Sequence, residues 1–152
     1  MNKVICYPRC CTPKYYSDDD YYLEMFTVPK QKINNVGHVG VQLFKELRKS
    51  KIAPTVEALD FTIIAMAVVA ADKAVLRKKS ADGWTRKIEL CIYLHDAPKW
   101  RQEKRKLEEM LRFLSGDFWV LNINALPESL VPQKKYDLRQ QDCICLLSGG
   151  MD

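Results

Sequence analysis

The chain has 152 residues, with 24 Lys+Arg against 19 Asp+Glu for a net charge of +5, 47% hydrophobic residues and 28% charged ones. These proportions exclude a disordered, collagen-like or low-complexity chain and fit one globular domain, with part of a second at most. Six cysteines in a chain that can bury a core are too sparse for a disulfide framework and point to a reducing, cytoplasmic setting. The mild, interspersed charge does not indicate nucleic-acid binding.

Residues 1–11 lack the apolar run of a signal peptide. Residues 1–54 read as a poorly defined N-terminal segment rich in Tyr and Pro, in which the acidic triplet Asp18, Asp19 and Asp20 precedes a short strand-like run at 21–28. At 40–49, Val41, Phe44 and Leu47 recur at helical spacing with Lys45, Arg48 and Lys49 elsewhere on the turn, which predicts an amphipathic helix.

Thr55 offers an N-cap for a long helix over 55–79, with Glu57 and Asp60 in its first turns and Arg77, Lys78 and Lys79 at its other end, as the helix dipole favours. Between them residues 63–71 are apolar on every face, so this helix is expected to be central and buried. The apolar stretch 61–71 lies between Asp60 and Asp72 and falls short of the roughly 20 residues that span a bilayer. No membrane contact is expected.

Turn residues 80–83 lead into 86–94, where Ile88, Leu90, Ile92 and Leu94 alternate with Lys87, Glu89, Cys91 and Tyr93 as in a half-buried strand. Asp96 and Pro98 then open a helix over 98–114, with Trp100, Leu107, Met110, Leu111 and Leu114 as its apolar face and Gly116 as its left-handed stop. Strand character resumes at 118–123. The fold class expected is α/β or α+β: an accessory domain at 55–124 with a small sheet packed on two long helices, then a linker at 125–141.

Residues 143–147, Cys-Ile-Cys-Leu-Leu, form an apolar run of the kind found in buried parallel strands, and they lead into Ser148-Gly149-Gly150-Met151-Asp152. Glycines here let successive N–H groups converge on one concavity and Ser148 adds a hydroxyl, so Ser148, Gly149, Gly150 and Asp152 are the candidate phosphate-binding residues. A following helix N-terminus would complete such an anion site.

This loop resembles the opening of the SGGxDS motif of the PP-loop ATP pyrophosphatase superfamily, without its final Ser. Upstream, Trp84-Thr85-Arg86, Asp96, Trp100 and the run from Leu111 to Trp119 resemble the region before that loop in QueC-like proteins, relatives of 7-cyano-7-deazaguanine synthase found in anti-phage systems of the Qat type. The resemblance covers roughly 56–152. It implies that 142–152 begin an ATP-binding domain, with ATP held by the loop and Mg²⁺ near Asp152, and that the chain is the N-terminal part of a longer enzyme. It further implies adenylation of a 7-deazaguanine carboxylate, then attack by ammonia or another amine to give an amide or nitrile. The family's catalytic residues and its structural zinc cysteines would lie outside this chain, and partner proteins of a defence operon are implied. A PP-loop enzyme that thiolates RNA, and a non-catalytic module that docks a partner protein, are the alternatives.

Other residues have plainer readings. Cys6, Cys10 and Cys11 lack a second Cys or His pair nearby and read as reduced cysteines, not as a metal site. His95 and Asp96 read as a strand-end histidine and a helix cap, not as a base and its orienting acid. Trp84, Trp100 and Trp119 read as core. The basic residues Lys73, Arg77, Lys78, Lys79, Arg86 and Lys87 read as a solvated helix end.

Overall fold

The computed structural model describes residues 2–29 and 36–130. Five strands, β1 (Asn2–Pro8), β2 (Tyr21–Met25), β3 (Val36–Val39), β4 (Lys87–Leu94) and β5 (Phe118–Ala125), form one all-parallel sheet in the order β3-β2-β1-β4-β5. Four helices accompany it: α1 (Leu43–Lys49), α2 (Val56–Ala74), α3 (Ala97–Gln102) and α4 (Lys104–Ser115). The α/β expectation therefore holds, with a parallel sheet.

Residues 2–39 are not the undefined segment that the sequence suggested, because they supply three of the five strands. β1 lies between β2 and β4, with Val4 opposite both Tyr21 and Leu90. The sheet therefore crosses the expected domain boundary at 54/55. Such a strand is covered on both faces and loses polar alternation, so Asn2–Pro8 gives almost no periodic signal.

One face of the sheet carries the main core. Val4 and Cys6 from β1, Ile88, Leu90, Ile92 and Leu94 from β4, and Leu121 and Ile123 from β5 pack with Leu59, Ile63, Ala67 and Ala71 of α2. Leu107 and Leu111 of α4 close the same cluster. On the opposite face, residues 9–20 fold back so that the hydroxyls of Tyr16 and Tyr7 lie 3.2 Å apart and Tyr16 meets the ring of Tyr22 edge-on.

The caps follow the sequence. Thr55 accepts from the Ala58 N–H, Asp96 accepts from the Lys99 N–H, and Gly116 ends α4 at φ 73°. The expected helix over 98–114 is instead two, divided at Glu103. Met110 and Leu114 face outward, since the sheet takes only the stripe through Leu107 and Leu111. α2 is not enclosed either: one face is buried, while Phe61 and Val69 are 56% and 54% exposed. A single helical layer on one sheet face cannot bury a helix all round.

Among the described residues, the two edge strands of the sheet are short or have edge groups occupied. At β5 the Leu121 N–H donates to Glu108 Oε1, and the Ile123 carbonyl accepts from Arg101 Nε. Side chains from the adjoining helices thus take edge groups that a foreign strand would use.

Candidate functional site

In a parallel sheet of this order the crossovers leave in opposite directions from β1 and β4, and the crevice at their carboxyl ends is the usual ligand position. The residues there have specific, mostly structural, occupations. β1 runs into a 3-10 turn at Arg9–Cys11 with no glycine and no α-helix, so it lacks the backbone nest and dipole that hold phosphate. The end of β1 accordingly offers no phosphate cradle.

Cys10 and Cys11 place their sulfurs 3.9 Å apart in that turn. Burial, then the hydrogen bond with Cys10, pushes the Cys11 thiol up to about 12, so it stays protonated at neutral pH and is a poor nucleophile. Burial likewise raises Cys91 and the nearby Tyr93 phenol. Cys6 is fully buried in the core, and its thiol is raised by burial.

At the end of β4, His95 is held by a carboxylate that is distant in sequence. Its Nδ1–H donates to Asp60 Oδ1 at 2.6 Å, and its Nε2 accepts from the Leu130 N–H at 2.9 Å. Both ring nitrogens are engaged, which specifies the neutral Nδ1–H tautomer. Asp60 is fully buried and also accepts from the His95 N–H, the Asp96 N–H and the indole N–H of Trp100. The structure thus separates two roles: Asp96 caps α3 as expected, and Asp60 orients His95. Sequence spacing gave no sign of the second, because 35 positions separate the pair. With no free lone pair or proton on the imidazole, the group fastens α2 to the end of β4.

A second buried aspartate closes the opposite end of β4. Asp117, fully buried, accepts from the Arg86 backbone N–H, from Arg86 Nε and Nη2, and from both terminal nitrogens of Arg77. Arg86 also reaches the carbonyls of Asp72 and Val75 and the Asp72 carboxylate. Burial acts to raise the Asp117 carboxyl, but the hydrogen bonds and charges of Arg86, with the charge of Arg77, hold it below its ordinary value. Arg86 and Arg77 therefore leave the solvated basic cluster that the sequence suggested. Trp84 does not join the core: it is 71% exposed, with the Arg77 guanidinium 5.7 Å from its ring centre.

On the far sheet face, an open groove of about 580 Å³ is lined in part by Lys3, Glu89, Cys91 and Asn122. Asn122 Nδ2 donates to Glu89 Oε1 at 2.7 Å. Toward the other edge, His38 Nδ1 and Glu24 Oε2 stand 3.7 Å apart, and that nitrogen has no hydrogen-bond partner among the described residues. Among the described residues no group of three or more His, Cys, Asp or Glu is placed to hold a metal ion.

Ser148, Gly149, Gly150 and Asp152 lie outside the described residues. Comparison of the chain with protein-family models, with curated proteins and with solved structures finds no match. No helix among the described residues is long and apolar enough to cross a membrane.

Proposed function

We propose that residues 2–130 form the accessory domain of a QueC-like, ATP-dependent enzyme whose nucleotide-binding part opens with residues 142–152. The observation that carries this reading is the apolar run 143–147 leading into Ser148-Gly149-Gly150-Met151-Asp152. In the described residues the buried acids Asp60 and Asp117 are taken up in holding α2 on β4, and the turn after β1 has no glycine, so the reading places the phosphate site in the loop at 148–152. In this reading a 7-deazaguanine carboxylate attacks the α-phosphorus of ATP and expels pyrophosphate, and ammonia or another amine then attacks the acyl-adenylate and expels AMP. Gly149 and Gly150 let the backbone approach the phosphates, Ser148 donates its hydroxyl, and Asp152 lies near Mg²⁺. The reaction serves phage defence in the cytoplasm, beside partner proteins of the same operon.

The test is pyrophosphate release by the enzyme that contains this loop. Ser148→Ala and Asp152→Asn are expected to abolish ATP-dependent turnover while far-UV circular dichroism stays unchanged. Gly149→Val is expected to do the same by blocking backbone approach to the phosphates. Pyrophosphate release at the wild-type rate in these variants would overturn the assignment.

A further inference from the structure

The outward side of α2 has a pattern that the fold itself does not use. Glu57, Phe61, Ala65, Val69 and Lys73 follow one another at four-residue spacing and all five are exposed. They form a single ridge, apolar in its middle, acidic at one end and basic at the other. Grooves flank it on both sides. One, of about 490 Å³, lies beside Met66, Val69 and Ala70 and runs to Gly40. The other lies beside Ala58 and Phe61 and is walled by Trp100, which stacks on Phe61 at 6.4 Å.

We infer that this ridge is the interface of a homodimer in which α2 crosses α2 of a second copy, in the opposite chain direction, at the angle of about 50° that aligns two such four-residue rows, about a two-fold axis at Ala65. The argument is self-complementarity. An isologous contact must match a surface to itself, so each residue before Ala65 meets the one equally far after it in the other copy. Phe61 then meets the second copy's Val69 and enters the groove beside Met66 and Ala70, while the small side chain of Ala65 lets the helices approach at the axis. Glu57 meets the second copy's Lys73, and the symmetric pair forms on the other side. Lys73 has no ion-pair partner among the described residues, and Glu57 pairs only across the surface with Lys99 at 3.3 Å. The opposite order of charges, or like charges at both ends, would make the ridge repel itself.

The experiment is sedimentation equilibrium on the whole chain at concentrations up to about 100 μM, where micromolar affinity leaves mostly dimer. Wild type is expected at twice the 17.6 kDa chain mass. Ala65→Lys, which sets two lysines against each other at the axis, is expected at the single-chain mass, with a thermal melt equal to wild type only at dilutions where wild type is also monomeric. Lys73→Glu is expected to weaken association about tenfold, and Glu57→Lys added to it is expected to restore association. A monomeric wild type, a dimer that survives Ala65→Lys, or a double swap no tighter than Lys73→Glu alone would each overturn the proposal. Should Ala65→Lys melt early, the charge swap on an unaltered apolar centre decides it.

Discussion

The two ends of β4 are each closed by a fully buried aspartate reaching a strand-flanking residue, yet the two carboxylates are satisfied by different means. Asp60, at the carboxyl end, takes N–H donors from His95, Asp96 and Trp100, with no guanidinium or ammonium among them. Asp117, at the amino end, takes two guanidinium groups and one backbone N–H. α2 is tied to both places, through its own Asp60 near its start and through Asp72 and the Val75 carbonyl near its end. One end is compensated by hydrogen bonds and the other by charge. That difference dictates how each fails.

The largest effect is expected at the charged end. Asp117→Ala leaves the Arg86 guanidinium, 3% exposed, facing Arg77 with only Asp72 left to balance them. Breaking a buried ion pair in this way costs about 3–5 kcal/mol. Urea unfolding followed by tryptophan fluorescence measures it, with Asp117→Asn as the variant that keeps the shape. A loss below that of Asp60→Ala would reverse the ranking of the two ends.

Asp60→Ala strands several N–H donors but no buried cation, and its expected cost is smaller, about 2–3 kcal/mol. It should also free the His95 ring and the segment at Leu130, seen as faster amide exchange at Leu130, His95 and Asp96. Protection at these amides equal to wild type would show that the carboxylate does not hold this end together.

Proton linkage tests the charged end by a second route. The Asp117 carboxyl is held below its ordinary value in the folded protein. A group lowered on folding adds stability above its unfolded pKa and loses that contribution as pH falls through the folded value. Unfolding free energy is therefore expected to drop as pH falls below about 4, the unfolded Asp range. The drop should be shallower in Asp117→Asn, which has no proton to bind there. Parallel acid slopes in the two proteins would mean that Asp117 does not drive the wild-type loss.

How legible these two ends were in the sequence depends on distance along the chain. Thr55, Asp96 and Gly116 act on residues within a turn of themselves, so cap chemistry alone located them. β4 alternates because one of its faces is fully buried and the other is half-buried and polar, so its period shows in the sequence. Asp60 and Asp117 resemble surface acids in sequence, since their partners arrive from other elements. β1 gives no signal for a related reason: its neighbours β2 and β4 define it, and its own pattern does not. The apolar centre of α2 was visible, but a run of apolar residues cannot say whether a sheet or a second copy covers each face. Of the candidate site, the loop at 148–152 was legible as a local motif, and the described residues add nothing to its geometry.

The smallest expected effects come from removing one peripheral donor at each end, and they test whether the two ends differ in kind. Trp100→Phe deletes the indole N–H that reaches Asp60 at 3.1 Å and leaves the donors from His95 and Asp96 in place. Arg77→Met deletes the outer guanidinium from Asp117 and leaves Arg86 bound to it. Each loss is of one partner among several, so each is expected to cost about 1 kcal/mol. Salt tells them apart. Arg77 is 34% exposed, so its attraction for Asp117 is partly screened by ions, and its cost should shrink between low and high salt. Trp100 carries no charge, and its cost should stay constant. A salt-dependent Trp100→Phe, or an Arg77→Met whose cost ignores salt, would show that charge compensation is not what distinguishes one end of β4 from the other.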